Sequence, residues 1–288
     1  MVISVEKSVN RTGAAWPCPA METGVFTGRP GRETIASFAD KEKVRELVEE
    51  RAGVSGPYIL PAWQNIESLV YISRLEGRGD SRIPGDYCVK SLKDIEDFEF
   101  DLLFHPLIRT MIGLIPSYKD KELILEAEAP FSILAALMDP MDLYPCFSED
   151  PERLRAILSR IARASAEYLR KCVEAGVRVI SLADPVGTMD LVGKEYFREF
   201  SGAAGIMLME QCGSFSDHAL IHLCPRLSRS FEEAGMISAL PLPDMEKNRR
   251  LMDTLSALAR NPEIHFSGMA CIHHSESFLD KISAIVIK

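Results

Sequence analysis

Apolar positions recur with two different periods along this chain, and each change of period marks an element. From Asp40, the residues Val44, Leu47 and Val48 fall at helical spacing with Gly53 just beyond, which predicts a helix with an N-cap and a C-terminal glycine. Pro57-Tyr58-Ile59-Leu60-Pro61 reads as a short strand, followed by a helix around Ile66 to Arg74 and a charged, glycine-rich turn from Gly77 to Arg82. From about Lys93 the pattern is more regular. A helix from about Asp101 to Leu114 carries Pro106 in its first turns, and Glu122 to Ala129 is strand-like and runs into Pro130, which opens a helix of small residues to Met138. Asp150-Pro151-Glu152 starts the longest helix, whose Leu154, Ile157, Leu158, Ile161, Leu169, Cys172 and Val173 keep one face and which stops at Gly176. A strand follows from Val177 to Pro185. The alternation then repeats: a helix from about Lys194, a strand from Ala219 to Pro225, a helix to Gly235, a strand from Met236 to Leu240, a helix from Asp244 to Arg260, a strand-like run from Ile264 to Cys271, and a last helix capped by Ser275.

Helices alternating with strands through short connections specify a parallel sheet covered by helices. The expected class is therefore α/β, as a (β/α)8 TIM-type barrel. About six strands are convincing, so the barrel is expected to be incomplete or distorted. Residues 1–39, with Pro17-Cys18-Pro19 and Gly28-Arg29-Pro30-Gly31 as breakers, form an irregular N-terminal arm. Residues 1–84, the arm and first helices, are read as part of the same domain as the barrel of residues 85–288.

The uncharged run Ala219-Leu220-Ile221-His222-Leu223-Cys224-Pro225 ends in two soft metal donors. Strand side chains alternate between faces, so His222 and Cys224 point the same way at the C-terminal end of their strand. Cys271 closes another apolar run and completes a His, Cys, Cys set of the zinc type, in which three protein ligands leave a position open for chemistry. The same residue types also serve as packing groups on buried strands. Other strands end in carboxylates, at Glu126 or Glu128 and at Asp184, and the C-terminal face of a barrel is where such enzymes keep their chemistry. Asp184, which precedes Pro185, also suits a turn-capping role.

Composition narrows the class without naming it. Net charge is −9, and no cluster of lysine or arginine provides a phosphate-binding surface, so nucleic acid is not an expected partner. No apolar run reaches the ~18 residues of a membrane span, and Glu6 and Lys7 interrupt any secretory pattern, so a cytoplasmic protein without membrane contact is expected. Seven scattered cysteines, an odd count, are expected to be reduced thiols.

The string Glu128-Ala129-Pro130-Phe131-Ser132, Asp150-Pro151-Glu152, Glu174-Ala175-Gly176, Ala183-Asp184-Pro185 and Tyr196-Phe197-Arg198-Glu199-Phe200, in this order, resembles the uroporphyrinogen decarboxylase superfamily over about residues 85–288. His222-x-Cys224 with a distant Cys271 is similar to the zinc pattern of its cobamide-dependent branch, the methylcobamide:coenzyme M methyltransferases. The chain departs from that pattern in the 46 residues between Cys224 and Cys271, about one βα unit fewer than is usual there. The resemblance implies Zn2+ held by His222, Cys224 and Cys271, with Glu128 or Asp184 able to fill the fourth position until a thiol displaces it. It also implies a corrinoid, methylcobalamin carried by a partner corrinoid protein, as co-substrate, and a thiol or other small methyl acceptor. Two other functions fit the same family: a catalytically weak or regulatory member that binds a corrinoid protein, and a metal-free decarboxylase. The arginine-rich N-terminal motif of true decarboxylases is not found in the sequence.

Overall fold

The strands form where β-branched and leucine side chains run together between a helix stop and a proline or glycine. The computed structural model describes residues 41–52, 58–60, 89–96, 106–242, 250–272 and 282–288. In chain order these give α1 (Lys41–Ala52), β1 (Tyr58–Leu60), α2 (Pro106–Leu114), β2 (Leu123–Glu128), α3 (Pro130–Leu137), α4 (Pro151–Ala175), β3 (Val179–Ala183), α5 (Gly202–Cys212), β4 (Leu220–Leu223), α6 (Pro225–Ala234), β5 (Ile237–Pro241), α7 (Leu251–Leu258), β6 (Phe266–Gly268) and β7 (Ser283–Ile287), with short helical turns between. The expected arm over residues 1–39, the helix at 66–74, the turn at 77–82, the first turns of the helix at 101, the start of the helix at 244 and the Ser275 cap lie outside the described residues.

Local chemistry sets the boundaries. Pro130, Pro151 and Pro225 each occupy the first helical position, where a missing N–H costs nothing. Gly176 at φ +127° ends α4, and Gly235 in the left-handed region ends α6. The 25-residue α4 buries Leu154, Ile157, Leu158, Ile161, Leu169, Cys172 and Val173, the stripe read from the sequence, against α3 and α5. No helix among the described residues is long and apolar enough to cross a membrane.

The seven strands form one sheet in the order β1-β2-β3-β4-β6-β7-β5. The first five are parallel, as expected, and the strands that lead to Glu128, Asp184, Cys224 and Cys271 are neighbours. The last two are not: β7 runs antiparallel to both β6 and β5. Among the described residues the sheet is therefore open, and β5 sits at its edge, not between β4 and β6. Its composition explains the position. An interior strand of a parallel sheet needs apolar residues on both faces, but β5 buries only Ile237 and ends in Pro241, which has no N–H for a further ladder.

Two further expectations are corrected. Residues 283–287 form a strand, because Ile285, Val286 and Ile287 are β-branched and pair with β5 and β6. The strand before Cys271 stops at Gly268, because Met269 takes φ +72° and turns the chain, leaving Cys271 beyond the sheet.

Candidate active site

The two faces of the sheet differ. Leu125, Ala127, Ile180, Leu182, Ile221 and Leu223 point into the larger core, among the residues of α3, α4, α5 and α6. The alternate residues point the other way. Ile124, Val179 and Leu220 align across β2, β3 and β4 and meet Leu251 and Leu255 of α7. One pleat nearer the C-terminal ends, Glu126, Ser181, His222 and Ser267 align across β2, β3, β4 and β6. All four are buried, so the sheet carries a polar row directly above an apolar one. The next level brings Glu128 beside Ala183, and Cys224 extends the ladder by donating its N–H to Leu182 at 2.9 Å.

His222 is fully buried, with Nδ1 2.9 Å from Ser267 Oγ and Nε2 2.9 Å from the Ala270 carbonyl. Burial lowers its pKa from 6.5 to about 4, although the Ala270 bond favours the proton. The ring is neutral at pH 7, the state required of a ligand.

Asp184 follows β3 and is 1% exposed. Its Oδ1 accepts from Ser132 Oγ at the start of α3 and from the Gly187 N–H at 2.9 Å. A Cβ at Gly187 would stand 2.4 Å from Asp184 Oδ2, so the loop closes on the carboxylate only with glycine there. Burial raises the Asp184 pKa to about 6, against the pull of Ser132, Gly187 and Arg226. Arg226, on α6, ties that loop down through Asp190 and the Pro185 carbonyl. Burial, with the Asp184 charge adding to it, raises the pKa of the Tyr144 phenol, which stands in a stack with Phe131, Phe147 and Tyr196.

The expected residues are thus brought to one end of adjoining strands, but not into a closed metal shell. Among the described residues no three His, Cys, Asp or Glu side chains stand together as a metal-holding group. The donors nonetheless suit zinc in kind. Cys224 and Cys271 are half-buried thiols outside any disulfide, and His222 is neutral. Its Nδ1 already has the outer hydrogen-bond partner that a ligating histidine takes. Its Nε2 faces the carbonyl of the residue next to Cys271, so ligation through Nε2 requires that bond to open.

Sequence reading missed Ser132, Ser181, Ser267, Tyr144 and Arg226. The serines left a faint signal: Ser181 in Val-Ile-Ser-Leu-Ala and Ser267 in Phe-Ser-Gly are single polar groups inside apolar runs, on the face of His222. Ser132, Tyr144 and Arg226 act through loops and helices, where no period marks them.

Comparison with known proteins fits this picture. A solved structure, a methyltransferase from Methanosarcina mazei, superposes with a TM-score of 0.50 at 20% identity, covering 72% of this chain and 62% of that one. The present chain thus spans less than two thirds of that protein, and the likeness is one of fold. No curated protein matches. The uroporphyrinogen decarboxylase (URO-D) profile matches residues 85–240, the stretch that contains β2, β3, β4 and the loop of Asp184. Structures of this family are TIM barrels, to which the mostly parallel sheet described above corresponds, its ring open among the described residues. A match over more than half of the sequence goes further than likeness of fold, and the chain belongs to the uroporphyrinogen decarboxylase family.

Proposed function

We propose that this protein is an enzyme of methyl transfer, moving a methyl group between a corrinoid on a partner protein and a thiol or other small acceptor. The observation that carries this reading is the strand order. Four neighbouring parallel strands deliver Glu128, Asp184, Cys224 and the turn before Cys271 to one end of the sheet, above a buried polar row. In this reading His222, Cys224 and Cys271 are the residues that would hold Zn2+, which would supply a Lewis acid to lower the pKa of an incoming thiol. An acceptor thiol there would pass its proton to a base, and its sulfur would take the methyl group from the corrinoid substrate, whose cobalt would keep the electron pair. Asp184, with its pKa raised to about 6, and Glu128 are the candidate acceptors of that proton.

A decarboxylase of a poly-acid suits the site less well. The buried charged side chains among the described residues are Glu126, Glu128 and Asp184, with no buried lysine or arginine to meet a substrate's carboxylates. The sheet, open among the described residues with β5 at its edge, favours a second reading, a weak or regulatory member that binds the corrinoid protein without turnover. The test is the visible spectrum of methylcobalamin, or of a methylated corrinoid protein, mixed with zinc-loaded or chelated enzyme and a panel of thiols. Zinc-dependent demethylation is expected. Equal turnover by the chelated enzyme would reject the zinc reading, and corrinoid-protein binding without turnover by any acceptor would favour the regulatory one.

A further inference from the structure

Single exposed apolar side chains are ordinary on a protein surface, but a cluster of them is not. The large apolar side chains exposed among the described residues are Met141, Tyr144, Leu191, Tyr196, Leu240 and Val286. Leu240 and Val286 belong to β5 and β7. The rest fall in two short segments, 139–149 and 185–196, and the stack joins these into one surface. Tyr144 and Tyr196 both lie against the buried Phe147, with ring centres 6.0 and 4.6 Å from it. Met141, 76% exposed, stands one helical turn before Tyr144, and Leu191 belongs to the turn Met189–Val192 that leads to Tyr196. Leaving such groups in water costs roughly 25 cal/mol per Å2 of apolar surface. Each tyrosine offers an apolar ring with a polar tip, the kind of side chain enriched where proteins meet. The stack also holds both rings in place, so covering them costs little further side-chain entropy.

The rim decides what covers the patch. The two segments contain Asp139, Asp142, Glu149, Asp190 and Glu195 against a single cation, Lys194. Asp190 is paired with Arg226. The charges of Asp150, Glu149 and Asp142 add to burial in raising the pKa of the Cys146 thiol, which marks a negative field at this surface. A second copy of the chain fits poorly. A two-fold contact would set one acidic rim against the other, in a chain whose net charge is already −9. A basic rim around an apolar centre is the complement, since arginine pairs with carboxylates and also stacks on tyrosine rings.

We propose that Met141, Tyr144, Leu191 and Tyr196 form the docking surface for a protein partner that presents lysine or arginine around an apolar centre. The patch borders the end of the sheet that carries the site. Asp184 is close enough for its charge to act on the Tyr144 phenol, and Phe131, stacked on Phe147, precedes the Ser132 that donates to Asp184. The proposal rests on the reading given above, in which the partner carries the corrinoid, and adds the surface on which that partner lands.

The test uses the full chain and a panel of purified methylated corrinoid proteins. Binding is followed by calorimetry, and methyl transfer is followed separately from those proteins and from free methylcobalamin. At least one protein of the panel is expected to bind, and more weakly as salt rises. Met141→Ser should weaken that binding by about 5-fold, and Glu149→Lys combined with Glu195→Lys by about 10-fold or more. Transfer from free methylcobalamin should be unchanged in both. Should the charge-reversed protein fail to fold in a urea titration, Met141→Ser and Glu195→Lys alone carry the test. Unchanged binding in the variants overturns the docking surface, as does a panel in which nothing binds; transfer from free methylcobalamin would then leave the methyl-transfer reading standing. Binding that the variants weaken, with no transfer from any donor, keeps the docking surface and ends that reading. A wild-type dimer that Met141→Ser dissociates, seen by sedimentation, would assign the patch to a second copy and overturn the proposal.

Discussion

The same four strands present two faces with different tasks. On one, Leu125, Ile180, Ile221 and their neighbours are closed over by helices, and every contact is dispersion and the exclusion of water. On the other, one apolar row gives way within a single pleat to Glu126, Ser181, His222 and Ser267, groups that are costly to bury without hydrogen bonds. Strand alternation lets adjacent residues such as Leu223 and His222 belong to different tasks. Stability and chemistry can therefore be damaged separately, by substitutions one residue apart.

The largest separation is expected at the end of β4, between Cys224 and Leu223. Cys224→Ala should lower the proposed methyl transfer by two orders of magnitude or more, since loss of a ligand usually costs the metal. Its cost to the fold should be small, because the side chain is small and half-buried. Leu223→Ala, fully buried against the helices, should reverse the pattern, costing about 2–5 kcal/mol with activity per folded molecule retained. Urea unfolding of both variants, with zinc content measured alongside, checks the pair, and a large stability loss in Cys224→Ala would end the idea that stability and chemistry separate at this end of β4.

A smaller effect follows from two buried titrating groups in metal-free protein. Asp184 has a folded pKa of about 6 against its ordinary 3.8. Its charging penalises the folded state as pH rises from about 4 to about 6, by about 3 kcal/mol, and the penalty is absent at lower pH. His222 has a folded pKa of about 4 against 6.5. The unfolded chain takes that proton first, so stability is lost as pH falls from about 6.5 to about 4, by a similar amount. The two trends oppose each other across nearly one window. Asp184→Asn should therefore expose the histidine, giving a protein that weakens on acidification through this range more steeply than wild type does. Parallel stability profiles for the two proteins between pH 4 and 7 would show that the carboxyl titrates normally.

The smallest effect lies outside both faces. Arg155 on α4 pairs with Glu199 and sits 5.1 Å from the Phe200 ring centre, partly exposed. Its replacement by alanine should cost no more than about 1 kcal/mol in thermal unfolding, and less in high salt.

Much of the helix-packed face was legible in the sequence because it repeats. The α4 stripe, Pro130 and Pro151 at helix starts, and Gly176 and Gly235 at helix ends each follow from one residue's backbone or one period. The adjacency of the strands leading to Asp184 and Cys224 also followed, since a helical crossover returns the chain to the next parallel position. What failed depends on competition between distant segments. No local pattern in Ile237-Ser238-Ala239-Leu240-Pro241 shows that Phe266-Ser267-Gly268 takes the place beside β4. The site was half legible for a similar reason. His222, Cys224, Glu128 and Asp184 carry unusual chemistry and stand out singly, whereas Ser267 and the Ala270 carbonyl gain meaning only through register with a strand about 45 residues away.

The edge position of β5 also bears on the order in which the molecule assembles. Its only strand partner among the described residues is β7, and their pairs join positions about 40–50 residues apart, from Pro241 with Ser283 to Ile237 with Ile287. A contact of that separation must overcome loop-closure entropy before it is rewarded, whereas the turns of α4 form from neighbours. The antiparallel lip therefore joins a sheet whose parallel part can already be in place. Until it does, β6 keeps an unpaired edge beside the strand of His222, and the polar row is complete before the margin that borders it.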